Sequence, residues 1–177
     1  MQIVAIISLS VLSAVVYGMV HDQVTARVCV EYFTIGHPPI FGTDSPTLLA
    51  LGWGILATWW VGLILGVPLA LFARLGRRPK RSAASLIRPI LVLLGAMAAV
   101  AVLAAAVGYV LARAGAVVLR EPLASRVPAD QHVPFLTDLW AHNGSYLAGF
   151  VGGIVLIVHV WRSRGRAARE TALPSLG

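Results

Sequence analysis

Charged residues are what this sequence has least of. Asp, Glu, Lys and Arg together make up 12% of its 177 residues, whereas a soluble domain carries about 25%. Hydrophobic residues make up 58% of the chain. This combination is typical of a chain that lies largely in lipid. We therefore expect an integral membrane protein and not a soluble domain.

Acidic residues are scarcer than basic ones, with 7 against 14, and the formal net charge is +7. An excess of positive charge is also found in proteins that bind nucleic acid. Here the basic residues stand in short stretches beside hydrophobic segments, as membrane orientation requires. We therefore predict no nucleic-acid partner.

Cysteine is nearly absent and the common catalytic motifs are missing. The one cysteine, Cys29, excludes an internal disulfide, and we interpret it as a buried thiol. The chain contains no H-E-x-x-H, C-x-x-C, G-x-S-x-G or phosphate-binding-loop motif. Whether the protein is an enzyme is left open by these observations.

Four hydrophobic runs are long enough to cross the hydrocarbon core of a bilayer, which needs about 20 residues. They predict helices at about 3–20, 48–73, 90–112 and 140–161. The expected fold is an all-α four-transmembrane-helix bundle, a single domain of two helical hairpins. No basic residue precedes the first run and no A-x-A site follows it, so we interpret it as a retained helix and not as a signal peptide.

The distribution of charge predicts the orientation. Ten of the 14 basic residues fall in the segments 74–89 and 162–177, and six of the 7 acids fall in 21–47 and 113–139. Basic loops stay in the cytoplasm. The sequence therefore predicts a multi-pass membrane protein with both termini and the loop 74–89 cytoplasmic. The segments 21–47 and 113–139 become ordered outer loops.

Small residues recur at the spacing that lets membrane helices approach closely. Two GxxxG pairs are present, namely Gly62 with Gly66 and Gly149 with Gly153. We expect these faces to pack the helices, and they also predict a homo-oligomer or a partner in a membrane complex. Pro68 removes a backbone hydrogen bond and predicts a kink near Ile64.

The first outer loop is unusually rich in ionisable and aromatic residues for a spacer. In the fourth helix His142, Ser145 and Tyr146 share one face at the predicted outer boundary, at the same depth as His21. Nitrogen and oxygen ligands of this kind suit zinc, iron or manganese. The candidates for binding a divalent metal or a ligand are His21, Asp22, Glu31, His37 and His142. The candidates for supporting roles are Tyr17, Arg27, Tyr32, Ser145 and Tyr146.

Other interpretations of these residues stay open. They can act as proton carriers or form a substrate pocket, because ionisable groups at membrane depth are usually functional. Alternatively, Asp22, Arg27 and Glu31 form a structural salt-bridge network. The predicted function is an outward-facing metal or ligand site, with a structural or assembly subunit and a small enzyme or transporter as alternatives. The basic loop and tail predict contact with the bilayer and its anionic lipids.

One segment resembles a known family. His21-Asp22-Gln23, Thr25 and Glu31-Tyr32-Phe33-Thr34 form an HDQ-x-T…EYFT pattern just after the first helix. This pattern is similar to that of a family of small bacterial four-helix inner-membrane proteins whose activity is not established. A weaker similarity covers 142–149 in the last helix. The resemblance implies a bacterial inner membrane and supports the choice of site residues, but it implies no mechanism.

Overall fold

The computed structural model describes residues 1–172, and all regular elements in this range are helical. The elements are α1 (Gln2–Val28), α2 (Glu31–Thr34), α3 (Pro46–Leu56), α4 (Trp59–Arg74), α5 (Ala84–Arg113), α6 (Leu123–Arg126), a 3-10 turn (Ala129–Gln131) and α7 (His132–Ala172). Four stretches are long and apolar enough to cross a membrane, namely Gln2–Val28, Pro46–Arg74, Ala84–Arg113 and Ala129–Arg169. The predicted all-α class with four spans is thereby confirmed. The end of the predicted tail, 173–177, lies outside the described residues.

The helices continue beyond the apolar runs that the sequence marks. α1 runs through His21 and Asp22 to Val28, and only at Cys29 does the backbone become extended. α7 begins at His132, well before the apolar part of the last span. Hydropathy marks the part of a helix that sits in hydrocarbon, whereas backbone hydrogen bonding continues into the polar flanks. The polar residues at these helix ends therefore have rigid positions.

The second span is interrupted at Ala57 and Thr58, where α3 ends and α4 begins. Thr58 has a non-helical backbone, with φ −121° and ψ −24°. Pro68, by contrast, lies inside α4. Non-helical backbone at membrane depth is tolerated where it is covered by protein or lines a cavity. The interruption is therefore a point at which backbone groups become available to other helices.

Glycines set the closest helix contacts. A Cβ on Gly54 would lie 2.6 Å from the Cα of Met19, and one on Gly62 would lie 2.7 Å from the Cα of Val11. α1 therefore packs tightly along α3 and α4, while α5 packs along α7. α4 and α7 join these two pairs, and α1 contacts α5 much less. The glycines of both GxxxG pairs face other helices of the same chain.

At the basic end of the molecule, Arg164 of α7 is 2% exposed. Its guanidinium donates to four backbone carbonyls, those of Phe72, Leu75, Arg78 and Pro79. The last carbonyls of a helix have no partner within the helix, and they carry the negative end of its dipole. Arg164 satisfies the carbonyls of Phe72 and Leu75 at the end of α4 and two further carbonyls in the loop after it, and thereby ties both to α7.

The tight crossing of α1 and α3 predicts a strong effect of adding a methyl group. In Gly54→Ala the new Cβ meets the backbone of Met19, which cannot move aside cheaply, so we expect a loss of roughly 1–3 kcal/mol. Gly95→Ala is the matched control, because a Cβ on Gly95 meets nothing within 4 Å. Thermal unfolding in mild detergent should show a lower Tm for Gly54→Ala alone. Equal Tm values for the two variants would contradict the close contact between α1 and α3.

The planar fork of Arg164 should not be replaceable by another cation. Lysine cannot serve four carbonyls at once, so Arg164→Lys leaves buried acceptors unpaired, at a cost of roughly 1–3 kcal/mol each. The control is Arg162→Lys, because Arg162 is exposed on the same helix. We expect a lower Tm and increased proteolysis of the loop 74–89 in Arg164→Lys only. If Arg162→Lys lowers the Tm and increases proteolysis as much as Arg164→Lys does, the proposed role of Arg164 is refuted.

Candidate metal centre

Three of the candidate ligands come together between the first and the last span. His21 and Asp22 of α1 and His142 of α7 each offer one ligand atom, and these atoms lie within 4.8 Å of one another. The closest pair is His142 Nε2 and Asp22 Oδ1, at 3.3 Å. Asp22 and His142 are 6% and 7% exposed. The cluster is thus shielded from bulk water by the surrounding helices.

The hydrogen bonds of His142 determine which ring nitrogen is free. Its Nδ1 lies 2.8 Å from the backbone carbonyl oxygen of Asp138, and because a carbonyl can only accept, Nδ1 carries the hydrogen. In the neutral imidazole Nε2 then bears a lone pair. This lone pair faces a carboxylate oxygen of Asp22, which is also an acceptor. The contact is attractive only if a proton or a metal ion lies between the two atoms.

His21 adds a third unused atom. Its Nε2 is buried and has no hydrogen-bond partner among the described residues. Its ring meets the ring of His142 edge to face, with centroids 4.6 Å apart. A buried ring nitrogen without a partner is uncommon and requires an explanation. His21 also offers one ring nitrogen to the group formed with Asp22 and His142, which makes coordination of a shared cation a direct explanation.

The distances agree with those of a small coordination sphere. Ligand atoms at about 2.1 Å from a tetrahedral zinc ion are about 3.4 Å from each other. The separation of 3.3 Å between His142 Nε2 and Asp22 Oδ1 already matches that value. The remaining atom pairs, within 4.8 Å, would have to shorten by rotation of His21. Three protein ligands also leave a fourth position open, as in catalytic zinc sites.

A cavity of about 80 Å³ adjoins the cluster, which is enough space for several water molecules. Aromatic rings form much of its wall. Tyr32 stacks on His142 with centroids 4.4 Å apart, and Tyr17 stacks on His21 at 5.8 Å. Trp53 closes another side and lies 4.5 Å from the ring of His37. These rings fix the orientation of the imidazoles.

His37 lies on the wall of this cavity but outside the group of three ligand atoms. Its Nδ1 donates to the backbone carbonyl of Tyr32 over 2.8 Å. Burial lowers the pKa of His37, and the hydrogen bond to Tyr32 offsets only part of this effect. Burial, together with Tyr146, Asp138 and Asp22, raises the pKa of Tyr32. Both side chains are therefore neutral at pH 7 and add no charge to the site.

Glu31 and Arg27 lie apart from the cluster. The thiol of Cys29 donates to the carboxylate of Glu31 over 3.5 Å. The guanidinium of Arg27 donates to the side chains of Gln23 and Thr47 at 2.7 and 2.9 Å. The sequence leaves open a salt-bridge network of Asp22, Arg27 and Glu31, and the structure shows a different arrangement. Arg27 binds Gln23, which lies one helical turn before it.

The supporting residues connect the cluster to neighbouring helices. The hydroxyls of Tyr17 and Ser145 are 2.9 Å apart. The hydroxyl of Tyr146 donates over 3.4 Å to the carbonyl of Ala57, which lies in the interruption of the second span. Ala57 also lines the cavity. The break in the helix thus provides a backbone acceptor at the depth of the candidate site.

Sequence reasoning did not select Asp138 as a site residue. Asp138 is 1% exposed, and its Oδ2 has no hydrogen-bond partner among the described residues. The residue fell in the segment predicted as an outer loop, where an acid is ordinary. The available signal was its spacing, because Asp138 stands four residues before His142 and α7 places both on one face.

No protein-family model, curated protein or solved structure matches this chain. The chemistry of the cluster is therefore inferred from its own atoms. The resemblance of the HDQ-x-T…EYFT segment to a bacterial family stays a prediction.

The environment of Cys29 predicts that its thiol is alkylated slowly. Cys29 is 2% exposed, and burial raises its pKa from 9.0 to about 12. Because the thiolate is the reactive form, alkylation at pH 8 should be about 1,000-fold slower in the folded protein than in the denatured chain. The folded rate should keep rising tenfold per pH unit beyond pH 9, where the denatured chain levels off. Iodoacetamide labelling followed by mass spectrometry measures both rates, and a folded rate that levels off near pH 9 contradicts this environment.

Proposed function

We propose that this protein binds a divalent transition-metal ion, of the class of zinc, iron or manganese, through His21, Asp22 and His142. The observation that carries the proposal is the contact of 3.3 Å between His142 Nε2 and Asp22 Oδ1. Both atoms are acceptors when Nδ1 of the neutral imidazole donates to the carbonyl of Asp138. A divalent cation converts this contact, and the unpaired Nε2 of His21, into coordinate bonds.

A simple ion pair accounts for less of the site. A second proton on His142 would make its contact with Asp22 attractive, but it would leave Nε2 of His21 buried and unpaired. It would also bring a cationic ring close to a second imidazole, at a centroid distance of 4.6 Å. A metal ion uses all three atoms at once. The hydrogen bond from Nδ1 of His142 to a carbonyl is also the usual way in which a ligating histidine is oriented.

The cavity favours a site that exchanges ligands over a purely structural one. Structural zinc sites are closed by four protein ligands, whereas three ligands leave a place for water or a substrate. The adjoining space of about 80 Å³ suits water or a very small ligand. The hydroxyls of Tyr17, Ser145 and Tyr146 lie around it as hydrogen-bonding groups. The proposal commits to binding and to no particular reaction.

The proposed setting is a bacterial inner membrane, with the metal centre near the outer surface and both termini in the cytoplasm. The separation of ten basic residues from six acids supports this orientation. The contacts of α1 with α3 and α4, and of α5 with α7, support a bundle of two hairpins. The GxxxG glycines pack inside the chain, so they do not favour the alternative of an assembly subunit.

The direct test is elemental analysis of the full-length protein purified in mild detergent without chelators. We expect close to one transition-metal ion per chain in the wild type. His21→Ala, Asp22→Asn and His142→Ala should each lose at least tenfold in metal content, because each removes one of three ligands. A wild type that holds no stoichiometric metal, even after reconstitution with zinc, iron or manganese, would refute the proposal.

Two matched controls separate coordination from general destabilisation. His132→Ala removes a histidine of the same helix that instead contacts the carbonyl of Val127 at 3.0 Å. Glu31→Gln removes the sequence-predicted candidate that lies beside Cys29. Both controls should retain the metal, and added metal should raise their Tm as in the wild type. If the controls lose metal to the same extent, the loss in the ligand variants reflects misfolding and not the removal of a ligand.

A further inference from the structure

A second hollow lies at the opposite, basic end of the molecule, between α5 and α7. Its volume is about 580 Å³, far larger than the cavity beside the metal centre. One stripe of α5 and one stripe of α7 form its walls. The stripe on α5 comprises Ser85, Arg88, Val92 and Ala96, and the stripe on α7 comprises Gly152, Val155, His159 and Ser163. Residues three or four apart share one helical face, so each stripe is a continuous wall of the groove.

The groove changes from polar to apolar along its length. Arg81, Ser85 and Arg88 lie at one end together with His159 and Ser163 of α7. No Asp or Glu lines it, and among the side chains that the structure describes no carboxylate pairs with either arginine. This end therefore presents uncompensated positive charge. The other end has apolar walls on both helices.

The length of the groove matches one leaflet of a bilayer. From Ser85 to Ala96 a helix rises about 16 Å, at about 1.5 Å per residue. The hydrocarbon core of a bilayer is about 30 Å thick, so one leaflet accounts for about 15 Å. A molecule lying in the groove can thus keep its charged part among the arginines while its apolar part reaches the bilayer midplane.

Small residues and a side-chain hydrogen bond shape the groove. Ala96 has a short side chain in the apolar half, and Gly152 lets α7 pack closely on Leu93 of α5, because a Cβ there would overlap that side chain. Arg81 reaches across to α7 and donates to the hydroxyl of Ser163 over 3.3 Å. The guanidinium thereby stays at the mouth of the groove, and its other N–H groups have no further partner among the described residues. Arg88 is exposed beside it.

From these features we infer that the groove between α5 and α7 binds one anionic phospholipid. The phosphodiester lies at Arg81 and Arg88. A guanidinium group binds a phosphate through two parallel N–H···O hydrogen bonds. One acyl chain follows Val92, Ala96 and Val155 toward the midplane. The site is separate from the metal centre, so each can be lost without the other. It is also more specific than general attraction of a basic loop to an anionic surface.

The test compares lipids with identical acyl chains in the full-length protein in mild detergent. Native mass spectrometry and thermal shift should show one bound phosphatidylglycerol and a higher Tm, and phosphatidylcholine should give neither. Each basic residue near an anionic surface contributes about 1 kcal/mol, so Arg81→Gln with Arg88→Gln should weaken binding about 30-fold. The control is Arg162→Gln with Arg166→Gln, which removes the same charge outside the groove and should bind as the wild type does.

Two further arms make the result decisive. Ala96→Trp fills the apolar half and should abolish lipid binding while both arginines remain. Inorganic phosphate at the same concentration should produce no shift in Tm. Equal binding of phosphatidylcholine, equal loss in the control double variant, or a shift with phosphate alone would each overturn the inference. An Ala96→Trp variant that already melts early without lipid is scored as misfolded and replaced by Ala96→Phe.

Discussion

The absence of water inside a bilayer is the constraint on which this structure depends. Every polar group within the spans needs a partner from the chain itself, because lipid supplies none. Arg164 meets this need at the end of α4 by donating to the carbonyls of Phe72 and Leu75. Tyr146 meets it at the interruption of the second span by donating to Ala57. The ring of His142 is likewise oriented by the carbonyl of Asp138.

The same constraint makes the exceptions informative. Nε2 of His21 and Oδ2 of Asp138 are buried without hydrogen-bond partners among the described residues, although nearly all buried polar atoms in proteins are paired. Both belong to residues at one end of the spans, close to the contact of His142 with Asp22. Their joint location is the reason to place the chemistry of this protein at that end.

Several features of the site followed from the sequence because they depend on helix periodicity. The shared face of His142, Ser145 and Tyr146 required only a helix of 3.6 residues per turn. Other features depend on distances between segments that are far apart in the chain. The separation of Glu31 from the cluster follows from the end of α1 at Val28 and from the short helix after it. Nothing in residue spacing indicates that turn.

The sequence by itself determined that most of this chain lies in lipid and not in water. Its scarcity of charge and its four apolar runs require lipid, and in lipid the helix satisfies every backbone group locally, so the fold class follows from composition alone. The tertiary structure decided which polar residues meet. Asp22 and His142 are 120 positions apart. The packing of α1 on α4 at Gly62, and of α4 on α7 at Gly153, brings their helices together. Such contacts arise from side-chain shape across helices, which a linear pattern of hydropathy does not record.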